Sequence, residues 1–336
     1  MLTTSTVSPV VVGKGEYRYQ ALPAWEQLPE GWNLVEAPGV AVDSSDNVYV
    51  FNRGEHPVVV FDRHGKFLRS WGEGGFRRPH GIVAGPDDSI YCTDDLGHCV
   101  RKFTPDGRLL ATLGTPDAPS DTGISGMDYR TIRRPTGPFN MPTNVAFDAA
   151  GNIYVCDGYG NARVHRFDPA GRLLASWGTS GDADGAFNLP HGIAVGLDGR
   201  VYVADRENSR VQVFTAEGRF LAAWTDVARP MQVAVDSRGN VLVAAVGWRT
   251  GTFPWQAAPS ADPIGARLSV FDPDGRLLAR WGDDADPWAV GSYFAPHDLA
   301  IDSRGDVYVG EVTVSANGGR LPLPADYRPL KKLVRQ

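Results

Sequence analysis

Apolar and polar positions alternate along this chain in short runs, and the runs recur. An apolar stretch ends in Asp or Gly, a tight turn follows, and a second apolar stretch begins: Val40-Ala41-Val42-Asp43, Asp46-Asn47, Val48-Tyr49-Val50. The order returns as Val145-Ala146-Phe147-Asp148, Gly151-Asn152, Ile153-Tyr154-Val155 and as Leu299-Ala300-Ile301-Asp302, Arg304-Gly305, Val307-Tyr308-Val309. β-Branched and aromatic residues fill the runs, while Gly, Asn and Asp hold the turns, which is hairpin chemistry. A third run closes on Phe (Phe61, Phe103, Phe167, Phe214, Phe271) and a fourth on Trp or Leu (Trp71, Leu113, Trp177, Trp224, Trp281). Four strands per unit, at intervals of roughly 40 residues or more, is the pattern of propeller blades. No stretch sustains a 3.6-residue period. The expectation is an all-β, six-bladed β-propeller with four-stranded blades around a central channel.

Each unit opens on Pro followed by one variable residue: Pro38-Gly39, Pro79-His80, Pro142-Thr143, Pro190-His191, Pro230-Met231, Pro296-His297. Histidine fills this slot in units two, four and six. If six units close a ring, those three lie about 120° apart at one depth, and their imidazoles point at one spot on the axis. His56, His64, His98 and His165 fall off the slot. Three neutral imidazoles with an open fourth position form the ligand set of catalytic zinc. Imidazole alone selects weakly among metals, so another divalent ion stays open.

Ring closure has a readable candidate. The sixth unit supplies strands near 298–302, 306–311 and 330–335, and the missing fourth is expected from Glu16-Tyr17-Arg18-Tyr19-Gln20, which alternates in polarity. Pairing the two chain ends removes exposed sheet edges. Residues 1–15 are expected to be a disordered or extended N-terminal segment and 16–336 a single propeller domain. Two insertions rich in Pro and Gly, 115–140 and 246–266, are expected to rim a pocket. The aspartates Asp43, Asp148, Asp236 and Asp302 read as hairpin residues rather than a carboxylate cluster.

Composition narrows the partners. A net charge of −6 without a basic run argues against nucleic acid. No apolar stretch reaches the ~18 residues of a membrane span. Met1-Leu2-Thr3-Thr4 shows no signal-peptide pattern, so a cytoplasmic location is expected, with the chain acting as a monomer on a small-molecule or peptide-like substrate. Three cysteines, Cys92, Cys99 and Cys156, suit a reducing compartment, although Cys92 and Cys99 could face each other on neighbouring strands.

Several short segments stand outside the generic repeat: Phe51-Asn52-Arg53-Gly54, Pro79-His80-Gly81, Asp157-Gly158-Tyr159, Pro190-His191, Ala204-Asp205-Arg206-Glu207-Asn208 and Pro296-His297-Asp298. On these the chain resembles NHL-repeat propellers, and over about 37–309 it is similar to the lyase half of peptide-amidating enzymes, peptidyl-α-hydroxyglycine α-amidating lyase. The resemblance implies zinc on His80, His191 and His297, Tyr159 as catalytic base with Arg53 as its electrostatic partner, and Arg206 holding substrate. It also implies a structural calcium bound by the backbone carbonyls of Val40 and Ile82 and the carboxylate of Asp298. The implied reaction splits an N-acyl carbinolamide into an amide and glyoxylate. A dication beside the hydroxyl makes its proton easier to lose, and an arginine offers a planar fork to a substrate carboxylate.

Blander roles exist for each residue. Arg53 has Glu55 beside it for a surface ion pair, and Arg206 is flanked by Asp205 and Glu207. Tyr159 interrupts the repeat, because the equivalent stretch in unit four is one residue shorter. Ala295 stands where the family can carry methionine, and Gly160 where the secreted animal enzymes carry a disulfide-bonded cysteine. Two rival classes remain: a lactonase-like metal-dependent hydrolase, which predicts a carboxylate-rich axial site, and a non-catalytic NHL interaction module, which predicts no metal.

Overall fold

In the computed structural model, which describes residues 9–248, 264–317 and 322–336, the recurring hairpins become six antiparallel sheets. Five have four strands and the sixth has five. The inner strands are Gly39–Val42, Pro79–Ala84, Asn144–Phe147, Pro190–Val195, Pro230–Val235 and Pro296–Ile301. Each packs against the inner strand of the next blade, and the sixth returns to the first, so the ring is closed. The core lies between blades. The cluster between blades one and two, for example, joins Tyr49, Phe51 and Trp71 to Ile82, Ile90 and Phe103. Apart from two single 3₁₀ turns, helix is confined to Thr313–Asn317 among the described residues.

The hairpin aspartates act locally. One oxygen of Asp43 accepts the backbone N–H groups of Ser45 and Asn47, and the other accepts the Asn47 amide and the Tyr49 hydroxyl. Asp148 does the same with Ala150, Asn152 and Tyr154, and Asp302 takes the backbone N–H groups of Arg304 and Asp306 on one oxygen and the Tyr308 hydroxyl on the other. An Asp with Tyr six residues later is therefore a self-contained turn, and its polar groups are satisfied before the blade packs.

The last blade is built from both chain ends. Its order runs Pro296–Ile301, Val307–Glu311, Leu330–Arg335, Tyr17–Leu22, with Val10–Lys14 added outside. Tyr19 pairs with Arg335 and Leu22 with Lys332. Tyr19 is buried, its ring 5.4 Å from that of Trp281 in blade five, so the N-terminal strand also ties two blades together. Residues 1–8 of the N-terminal segment, and 249–263 of the second insertion, lie outside the described residues.

Cys92 and Cys99, which could have faced each other on neighbouring strands, do not. Strand register sets Cys92 opposite Arg101 and Cys99 opposite Asp94, and all three cysteines are free and buried. The two stand on neighbouring strands but two positions out of step.

Deleting residues 1–22 strips the outer strands from blade six and exposes the edge of Leu330–Arg335. The urea midpoint should fall by an amount equivalent to about 3 kcal/mol or more, given the buried tyrosines lost, with self-association on gel filtration. An unchanged midpoint and a monomer peak would show that closure does not need the N-terminal strands.

Candidate active site

The Pro-X slot is built by three local devices. First, in blades two, four, five and six the pairing slips at the slot. Pro79 pairs with Asp94, but Ile82 pairs with Cys92; Pro190 pairs with Asp205, but Ile193 with Val203. Blades five and six slip between Pro230 and Gln232 and between Pro296 and Asp298. One extra residue on the inner strand is a β-bulge, which re-aims a side chain. In blades two, four and six the slot residue is histidine, and the bulge turns it toward the axis.

Second, a carboxylate at the end of the second strand holds the segment that leads into the proline. Asp94 accepts the backbone N–H groups of Arg77 and Arg78, both at 2.9 Å. Asp157 accepts that of Asn140 at 2.8 Å and Asp205 that of Asn188 at 2.8 Å. Glu311 accepts those of Phe294 and Ala295 at 2.8 and 3.0 Å. The third strand supplies a donor to the first three carboxylates: Arg101 to Asp94, His165 to Asp157, Gln212 to Asp205. His165, between Asp157 and the Ser176 hydroxyl, is thus part of the blade scaffold.

Third, the carbonyl of the neighbouring blade's slot fixes each imidazole. His80 Nδ1 lies 2.7 Å from the Thr143 carbonyl oxygen, His191 Nδ1 2.7 Å from that of Met231, and His297 Nδ1 2.6 Å from that of Pro38. A carbonyl can only accept, so each Nδ1 carries the proton and each Nε2 is left with its lone pair. The ring centroids are 4.6 to 4.8 Å apart. The potential ligand atoms lie within 4.8 Å of one another, and all three residues are buried. Burial first, then cationic neighbours including Arg53, holds all three well below the usual histidine range, so they are neutral. Among the described residues this is the one cluster of His, Cys, Asp or Glu able to hold a metal.

Tyr159 is aimed into this cluster. Its hydroxyl lies 3.3 Å from His80 Nε2, 3.4 Å from His191 Nε2 and 3.4 Å from Arg206 Nη1. Asp157 pairs with Arg163 where Asp205 pairs with Arg210, so the extra residue in this loop is real. Its flanking glycines allow the loop to press onto its neighbours. A Cβ on Gly158 would sit 1.9 Å from the Pro190 carbonyl oxygen, and one on Gly160 2.2 Å from Asn140 Oδ1.

Four arginines surround the site. Arg206 is buried on a 3₁₀ turn, donates to Glu207 at 2.6 Å, and lies 5.5 Å from the Tyr159 ring centre. Glu207 also takes Arg229 at 3.1 Å. Arg53 donates to the Pro79 carbonyl, to Glu36 and to Ser315, each at 3.0 Å. Its carboxylate partner is Glu36 rather than Glu55, two positions along the chain. Arg53 lies within electrostatic reach of all three histidines. The second guanidinium against Tyr159 is Arg78, 5.6 Å from the ring centre. Sequence reasoning passed over Arg78 and Arg229, although both occupy the residue before the slot proline.

Immediately after the slot the axis carries a second polar layer. Asp298 accepts the backbone N–H groups of Val40 at 3.1 Å and Leu299 at 2.9 Å, and a short hydrogen bond from the Gln232 amide. Burial pushes its carboxyl up to about 7 despite these bonds. Val40, Ile82, Asn144, Gln232 and Asp298 line a channel cavity of about 380 Å³ whose remaining wall is apolar inner strand. The three residues expected to hold calcium are therefore brought together.

A propeller whose alternate blades aim histidines at the axis defines the class of this molecule. The NHL-repeat family model matches residues 139–167 and 187–214. NHL repeat-containing protein 3 of Homo sapiens is 33% identical over 292 residues, covering 81% of this chain and 76% of that protein. The chain belongs to the NHL-repeat proteins. Peptidyl-alpha-hydroxyglycine alpha-amidating lyase 1 of Drosophila melanogaster is 34% identical, covering 74% of this chain and 45% of that one. Peptidyl-glycine alpha-amidating monooxygenase B of Xenopus laevis is 29% identical over 88% of this chain, which spans 35% of that protein's length. The chain is an amidating-lyase-like propeller. A gluconolactonase from Xanthomonas campestris shares the fold with a TM-score of 0.61 at 13% identity, covering 98% of this chain and 95% of its own. A streptogramin B lyase does so at 0.58 and 11%, covering 94% and 96%.

Gly158→Ala places a methyl against the Pro190 carbonyl and should destabilise the fold by about 1–3 kcal/mol in urea titration, because the loop must shift. A midpoint equal to the parent's would mean that the Tyr159 loop is not held by that contact.

Proposed function

We propose that this protein is a zinc-dependent lyase that cleaves the C–N bond of an N-acyl carbinolamide, an α-hydroxyglycine-type amide, to an amide and an aldehyde acid such as glyoxylate. The observation that carries this reading is the convergence of three Nε2 lone pairs beneath the Tyr159 hydroxyl. The donor set fits the metal: three neutral imidazoles with tautomers fixed from behind, as ligating histidines need. A bound zinc ion supplies Lewis acidity toward the substrate oxygen.

The protein's own groups account for the proton. The Tyr159 oxygen, acting as tyrosinate, takes the proton of the carbinol hydroxyl. The electron pair left on oxygen by the broken O–H bond forms the new carbonyl as the C–N pair leaves with nitrogen, and the proton passes to that nitrogen, so one carbinolamide yields one amide and one aldehyde. Arg206 Nη1 lies 3.4 Å from the Tyr159 oxygen and donates to it, which orients that oxygen for the transfer. Arg53 is preset by Glu36 and Ser315, and its Nη2 has no protein partner among the described residues, so it suits the substrate carboxylate. The lactonase-like reading lacks its carboxylate ligands at the histidine cluster. The structural calcium belongs to this proposal as well, at Asp298 with Val40 and Ile82. In the present arrangement Val40 offers Asp298 its N–H, so calcium binding requires the hydrogen bonds around Asp298 to rearrange.

Purified protein should carry about one zinc per chain, and His191→Ala should lose it while staying folded. Tyr159→Phe should keep the zinc and lose at least about 100-fold in glyoxylate release from an N-acyl-α-hydroxyglycine. Turnover at the parental rate in Tyr159→Phe would remove the tyrosine from the mechanism. Calcium added to chelator-treated protein should raise its melting temperature, and Asp298→Asn should abolish that shift. An equal shift in the variant would place calcium elsewhere.

A further inference from the structure

Arg78 belongs to no assigned role, yet it is held as firmly as any group at the site. Asp94 fixes its backbone N–H at 2.9 Å. Asp95, completely buried, accepts from its Nε at 2.8 Å and from its Nη2 at 2.7 Å. A guanidinium has five N–H donors, and this fork engages two of them. Among the described residues, the only other side-chain hydrogen-bond partner of the guanidinium is the Met127 sulfur, 3.9 Å from Nη1, a weak acceptor on the first insertion. The side chain keeps 27% of its surface exposed, so the unused edge is within reach of a ligand.

Position and charge specify that ligand. Arg78 is two residues from His80 and lies against the Tyr159 ring, so whatever it binds sits beside the histidine cluster. Arg53, Arg78, Arg206 and Arg229 stand around neutral histidines, and the carboxylates of Glu36, Asp95 and Glu207 hold them in place. A buried ion pair is no more stabilising than an apolar pair of the same size. The Arg78–Asp95 pair is therefore poorly explained by stability and well explained by presenting a fixed cation to substrate. Arg53 already suits the carboxylate at the hydroxyglycine end. We infer that Arg78 binds a second anionic group, on the acyl half of the substrate, so that the preferred substrate is a dianionic carbinolamide derived from a small dicarboxylic acid. This rests on the lyase reading for the reaction but not for the binding.

Two probes separate the ideas: N-succinyl-α-hydroxyglycine and its neutral-tailed analogue N-butanoyl-α-hydroxyglycine, which carries a methyl in place of the distal carboxylate. The zinc-loaded protein should favour the succinyl compound in kcat/KM by about tenfold or more, the scale of one charge-assisted hydrogen-bond pair. Arg78→Met alone strands the buried Asp95, so the decisive variant is Arg78→Met with Asp95→Asn, in which the ratio should fall to about one; Arg78→Lys should keep part of it. A parental ratio near one, or a preference that survives the double variant, would overturn the inference. If neither probe is cleaved, the lyase reading fails, and calorimetric binding of N-succinylglycine against N-butanoylglycine decides Arg78 by itself. Tighter binding of the dianion that vanishes in the double variant sustains the inference, and equal binding ends it.

Discussion

Three hydrogen bonds, each from an imidazole N–H to a backbone carbonyl of the next blade, are the constraint on which the site depends. They join His80 to Thr143, His191 to Met231 and His297 to Pro38, so each even blade is locked to an odd one. The carbonyls decide the tautomer, and the tautomer decides that every free lone pair faces the axis. Remove the ring closure and the carbonyls move; move the carbonyls and the rings have no reason to converge. Fold and chemistry are thus coupled through backbone atoms, which substitutions in the outer strands do not touch directly.

Everything around these bonds serves to keep the slots in place. Bulges aim the side chains, strand-end carboxylates anchor the segments before the prolines, and glycines beside Tyr159 let its loop lie against blade four. The site is also dense in charge. Arginines held by Glu36, Asp95 and Glu207 are presented in fixed orientations, which lowers the ordering cost of binding an anion. A propeller suits this arrangement because six blades can each contribute one short segment to a common axis without any blade changing its own sheet.

The blades were legible because a two-residue alternation, interrupted by Gly and Asn, has few other solutions, and the phase of the histidines followed once the repeat was aligned. The closing strand at Tyr17–Leu22 was legible from its alternation, but the additional pairing of Val10–Lys14 was not, since an edge strand of four apolar residues and lysine carries little signal. Side-chain partners were harder. Arg53 finds Glu36, 17 positions away, in preference to Glu55 two positions away, because tertiary approach and not chain proximity sets that contact. Cys92 and Cys99 share a hairpin, yet register alone keeps them out of step. Arg78 was visible in the Arg-Pro dipeptide shared with Arg229, but the residue before the slot varies from unit to unit, so nothing in the repeat marked it.

The most direct measurement is X-ray absorption at the zinc edge on the zinc-loaded protein, compared with His80→Ala. A site formed by the three axial histidines predicts about three imidazole nitrogens near 2.0–2.1 Å, a lighter fourth ligand and no sulfur, with the imidazole count falling in the variant. A spectrum dominated by sulfur or carboxylate ligands, or one indifferent to loss of His80, would contradict the account.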